Sequence, residues 1–176
     1  MKTNVGIHCR RPSQIHVLMK RARHHKGSIY CLAWNPLGNL IATGSNDKTV
    51  KIMRFNAEES VNEGGGGGGG GGGGEQETEL AVHDGTVRDL VFMGDSQTLV
   101  SGGAGDCKIY VTDCPSGQPV ASLPGHGGHV LALSTWAAAG AVFASGSQVR
   151  ELFPYAQSSG VEFRLFFLLQ NFRQTC

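Results

Sequence analysis

Between residues 28 and 55, apolar and polar positions alternate with a period of two, and turn residues break the alternation twice. From Ser28 to Trp34, Ile29, Cys31 and Ala33 fall on one side and Tyr30, Leu32 and Trp34 on the other. Asn35-Pro36-Leu37-Gly38-Asn39 is turn chemistry, because proline presets φ and glycine accepts a positive φ. Leu40 to Thr43 predicts a second strand, Gly44-Ser45-Asn46-Asp47 a second turn, and Thr49 to Phe55 a third strand. The expected unit is a three-strand antiparallel meander.

The same plan recurs. Over 82–114, His83 precedes a strand at 86–92, a Gly94-Asp95 turn and a strand at 98–101. A glycine-rich turn ending in Asp106 then leads to a strand at 108–112. Asp106 aligns with Asp47, Ile109 with Val50 and Val111 with Ile52. Over 121–148 the plan starts a third time: Gly125-His126, an apolar run 130–136, a turn at 137–140, a strand at 141–145, then Gly146-Ser147-Gln148. An aspartate is expected next, and Val149 stands there.

His83 and His126 lie 43 residues apart, the spacing of propeller blades of about 40–45 residues. The run Ala42-Thr43-Gly44-Ser45-Asn46-Asp47-Lys48-Thr49-Val50-Lys51-Ile52 resembles the WD-repeat family over roughly 20–148. That resemblance implies an all-β chain, an incomplete WD-repeat β-propeller of two to three blades. The blades are expected at about 24–56, 80–114 and 121–148, behind a basic segment at 1–19, with an outer strand within 14–23. The chain departs from the family at the Trp-Asp pair, replaced by Met53-Arg54 and Thr112-Asp113.

The resemblance also assigns roles. His25, His83 and His126 are expected to join the turn acids Asp47 and Asp106, with Ser45 and Ser101 as hydroxyl relays. A residue that recurs once per repeat serves the repeat, so this network reads as structural, with no catalytic residue, metal or cofactor. His24-His25 and His126-Gly127-Gly128-His129 lack a cysteine or acid at ligand spacing. Gly102 to Gly105 lacks the Lys-Ser/Thr of a phosphate-binding loop and reads as a turn.

The implied function is a non-catalytic protein–protein interaction scaffold. Its partners are other proteins, with no small-molecule substrate. Cues outside the consensus, His24-His25-Lys26-Gly27-Ser28 and Ala104-Gly105-Asp106-Cys107, resemble a microtubule-linked member of the family. They imply microtubule-associated partners and a cytoplasmic, cytoskeletal location. The alternative is an adaptor in a nucleic-acid or chromatin-associated complex. A net charge of +1 gives nucleic acid little general support, but residues 1–46 hold no acid and 1–26 carry seven Lys or Arg.

Residues 57–79 form a Gly- and Glu-rich insert with eleven consecutive glycines, expected to be a flexible exposed coil between blades one and two. The five cysteines show no CxxC spacing, which fits a reducing compartment. No apolar run reaches the roughly 18 residues of a membrane span. Residues 149–176 show none of the blade pattern. Val149-Arg150 can be encoded by a splice-donor-like GTN-AGR, so this stretch is expected to be an atypical, non-native tail. With blades missing, a marginal curved array with uncovered apolar faces is expected instead of a ring.

Overall fold

A computed structural model describes residues 20–56, 77–136, 142–150, 152–157 and 163–165. The alternating stretch at the start of the repeat folds into β1 (Ile29–Trp34), β2 (Leu40–Ser45) and β3 (Val50–Arg54). With β4 (Glu77–Leu80) they form an antiparallel sheet in the order β1-β2-β3-β4. The second sheet runs β5 (Val87–Phe92), β6 (Thr98–Gly103), β7 (Ile109–Asp113) and β8 (Gln118–Leu123) in chain order. The third runs β9 (Val130–Thr135), β10 (Val142–Ser147), β11 (Leu152–Gln157) and β12 (Phe163–Leu165). The expected all-β class and antiparallel meanders are what the chain adopts, and no helix occurs among the described residues.

Three differences from the sequence expectation carry physical content. First, the insert does not separate two blades. Residues 77–80 pair with β3, Lys51 opposite Glu79 and Ile52 opposite Thr78, so the insert is a long connection within the first sheet. Its end was expected at 79, but β4 begins at Glu77, held by Lys51 Nζ at 2.7 Å from Glu77 and 3.1 Å from Glu79. The glycine run itself lies outside the described residues. Of the outer strand expected within 14–23, only residues 20–23 are described, and they form coil and a turn.

Second, each second strand runs two residues past its expected end, so Gly44, Gly102 and Gly146 lie in strands. Turn chemistry is not what Gly44 and Gly102 supply there. A β-carbon on Gly44 would sit 2.6 Å from Val87 of the next sheet, and one on Gly102 2.6 Å from Val130 of the sheet after it. Glycine lets neighbouring sheets approach closely.

Third, residues 152–157 of the tail join the pattern, and the greater part of its remainder lies outside the described residues. Leu152 pairs with Gly146, Pro154 with Ala144 and Tyr155 with Phe143, which makes β11 the third strand of the third sheet. These pairs repeat Val50–Gly44, Ile52–Ala42 and Met53–Ile41 of the first sheet. Tyr155 therefore stands where the family consensus has its tryptophan.

The core lies between sheets. Ala42, Val50, Ile52 and Leu80 of the first pack on Val87, Leu90 and Phe92 of the second. Val100, Ile109 and Val111 of the second pack on Val130, Leu133 and Phe143 of the third. Each fully buried aliphatic or aromatic side chain of this kind contributes about 1.5–3 kcal/mol. Polar links cross the same gaps: Asp89 Oδ2 accepts from the Leu133 amide at 2.7 Å, and Asn35 Nδ2 donates to the Ser96 carbonyl at 3.2 Å.

Candidate functional site

The histidine network recurs at one corner of each sheet. In the first, the bulge in β1 and the turn after β2 bring His25 and Asp47 together, Nδ1 to Oδ2 at 3.0 Å. Asp47 also accepts from the amides of Lys26 (2.8 Å) and Thr49 (3.0 Å) and from the Thr49 hydroxyl (2.7 Å). Burial works against its ionised form, but the Thr49, Lys26 and His25 hydrogen bonds outweigh it and hold the carboxyl well below its ordinary range.

The relay on the other ring nitrogen is not Ser45. His25 Nε2 lies 2.9 Å from Thr43 Oγ1, while the buried Ser45 hydroxyl accepts from the Asp47 amide at 3.1 Å. In the second sheet, His83 Nε2 meets Ser101 Oγ at 2.9 Å, as expected from the sequence. In the third, His126 Nε2 meets Ser145 Oγ at 2.7 Å, a partner the sequence reading did not include. The shared signal is a hydroxyl residue directly before the strand glycine: Thr43-Gly44, Ser101-Gly102, Ser145-Gly146. Ser45 sits two residues beyond Thr43, on the same face of β2, but its hydroxyl is tied into the turn by the Asp47 amide.

The acid half of the network weakens along the chain. Asp106 does not reach His83. It accepts from the Tyr110 hydroxyl and from the Lys108 amide (3.3 Å), and His83 Nδ1 has no hydrogen-bond partner among the described residues. Tyr110 instead packs edge-on to the His83 ring at 4.8 Å. Burial pushes the His83 pKa down to about 4, with Asp106 opposing weakly. In the third sheet Val149 replaces the acid, and Phe153 lies against His126 at 4.7 Å, in the register of Tyr110. The turn survives nonetheless. Lys48, Cys107 and Arg150 occupy the same turn position and share a positive φ of 72°, 58° and 67°.

Asp47→Ala is expected to lower stability by about 1–3 kcal/mol, because it strips four donors of their acceptor. Asp106→Ala, which leaves the histidine's contacts intact, should cost less. Urea midpoints of the two variants check the order.

Among the described residues, no cluster of three or more His, Cys, Asp or Glu is placed to hold a metal. Cys31, Cys107 and Cys114 are free thiols, and burial raises Cys31 and Cys114 to about 12, so neither is a thiolate at neutral pH. No helix among the described residues is long and apolar enough to cross a membrane.

Comparison with known proteins decides the family. Residues 14–53, 74–113 and 117–148, more than half of the chain, match the WD domain, G-beta repeat. The chain belongs to the WD-repeat family. The matched WD repeats are offset from the sheets: the second carries β4 together with β5–β7, and the third carries β8 with β9 and β10. The second and third WD repeats thus donate the outer strand of the preceding sheet, which is why β4 was not legible as part of blade one. The first match begins at 14, inside the segment read as a basic terminus.

Relatives of this WD-repeat chain include Protein HIR1 of Gibberella zeae, 28% identical over 73% of this chain and 12% of that protein. Protein HIR1 of Yarrowia lipolytica is 28% identical over 78% of this chain and 13% of its own length. Shorter stretches match more closely: Protein tipD of Dictyostelium discoideum is 54% identical over 19% of this chain and 5% of tipD. The chain therefore spans about one eighth of the length of the HIR1 relatives it matches.

Proposed function

We propose that this chain is a non-catalytic protein-interaction segment of WD-repeat type, working as an adaptor in a chromatin-associated complex. Support for the scaffold role comes from the matched WD repeats and from the network, in which each histidine meets a hydroxyl of its own sheet. The observation that carries the chromatin setting is the similarity to HIR1 proteins, which extends over most of the chain, where the tipD match covers 19% of it. It favours a nuclear over a cytoskeletal location. The finer resemblance to nemitin, a microtubule-linked WD-repeat protein, rests on His24 to Lys48, His83 to Met93 and Ala104 to Cys114, with His24 to Ser28 and Ala104 to Cys107 as its cues outside the family consensus.

The test is sedimentation of the chain with nucleosome arrays, with free DNA and with stabilised microtubules at one ionic strength. Co-sedimentation with arrays, with little dependence on salt, is expected. Binding that falls steeply with salt and is equal on free DNA would make the basic residues the ligand contact instead. Pelleting with microtubules only would overturn the chromatin reading.

A further inference from the structure

The same sheet-to-sheet interface is built twice within the chain, and both of its halves are left uncovered at the ends. The receiving half is the first strand of a sheet. Leu90 and Leu133 hold equivalent places opposite Ser101 and Ser145, and are 2% and 8% exposed. Leu32 holds that place opposite Thr43 and is 64% exposed. Ile29 and Trp34 are likewise exposed, while their counterparts Val87 and Phe92 are buried.

The presenting half is formed by the second and third strands. Val50 and Ile109, paired with Gly44 and Gly102, are fully buried. Leu152, paired with Gly146, is 72% exposed. Gly44 and Gly102 each receive a valine of the next sheet, whereas among the described residues only Ala132 of its own sheet stands near Gly146, at 4.0 Å from a β-carbon placed there. A glycine notch is open at one end of the array, and an apolar strand face is open at the other.

We infer that the β1 face of one copy docks on the β10–β11 face of a second copy, by the contact already used between the first and second and between the second and third sheets. The repeat of one interface along the chain is what selects this occupant, because the two open halves have the shapes that fit each other twice inside the molecule. The contact is head-to-tail, so it propagates unless rotation closes it. Two copies of the three sheets formed by the described residues give six blades, within the roughly 4–8 of closed propellers, while three copies exceed that range. The assembly is a two-copy ring with two equal interfaces.

The test is analytical ultracentrifugation of the full chain across a dilution series. Wild type is expected at twice the chain mass. Leu32→Glu and Leu152→Glu each place a charge in both interfaces of their own dimer and should shift it to monomer; both positions are exposed within the chain, so folding should survive, checked by circular dichroism. A wild-type monomer at every concentration overturns the proposal. So does a dimer that ignores both substitutions.

Discussion

Replacing Tyr155 by alanine is expected to lower the unfolding free energy by about 3–5 kcal/mol, the range for truncating a large buried aromatic side chain. The ring is 1% exposed and stacks on Phe143 at 4.6 Å with an 11° angle between planes. Phe153 adds an edge contact at 6.4 Å. All three belong to the third sheet, and their burial closes it against the second. Loss of the Tyr155 ring uncovers Phe143 and, through it, the end of the core that contains Val111 and Leu133. The outcome bears directly on residues 152–157. A chain whose urea midpoint ignores Tyr155→Ala does not use β11 as a structural strand, and its fold would then end near Ser147. Because this domain-sized chain has about 5–15 kcal/mol in total to lose, the variant should be compared with Tyr155→Phe, which keeps the ring and should remain near wild type.

Much of the architecture could be read from residue pattern alone, because alternation and turn chemistry act locally. Ser28 to Trp34 and Leu40 onward became β1 and β2, and the second unit repeated them. What was illegible was set by contacts between units. Gly44 looked like turn chemistry because its reason, Val87 on the next sheet, is 43 residues away. β4 belongs by sequence to the second repeat and by hydrogen bonding to the first sheet, so no local rule could place it. The missing aspartate at 149 hid the strand at 152–157. Spacing was the better guide: Leu152 follows Gly146 as Val50 follows Gly44, and an aromatic residue follows three positions later. The candidate site divides the same way. His25, His83 and His126 were visible as a recurring residue, whereas the choice of Thr43 over Ser45 depends on how far along β2 the ring reaches and on the turn claiming the Ser45 hydroxyl. The Asp106–His83 bond failed because Tyr110, in the register of Lys51, takes the carboxylate instead.

Acid should weaken the fold in two steps with separable causes. His83 is buried, and its pKa falls from 6.5 to about 4 on folding. Between those values the unfolded chain binds a proton that the folded chain refuses, so stability is complete above pH 6.5 and drains away as pH falls toward 4. The shift corresponds to a loss on the order of 3 kcal/mol. His24 is displaced in the same direction, with burial outweighing Glu77, and adds to the slope. Asp47 acts in a lower window. Its carboxyl is held below the ordinary 3.8, so its contribution is present above that value and is lost only as pH drops beneath it. His83→Gln tests the division, since the amide can still meet the Ser101 hydroxyl but takes up no proton. Urea midpoints at fixed protein concentration, from about pH 7.5 down to about pH 3, should show wild type declining from pH 6.5. The variant should decline less than wild type between pH 6.5 and 4, with the His24 slope remaining, and then fall with Asp47. Parallel curves for the two proteins would mean that His83 is protonated as readily in the fold as out of it, and that its contact with Ser101 does not depend on the neutral ring.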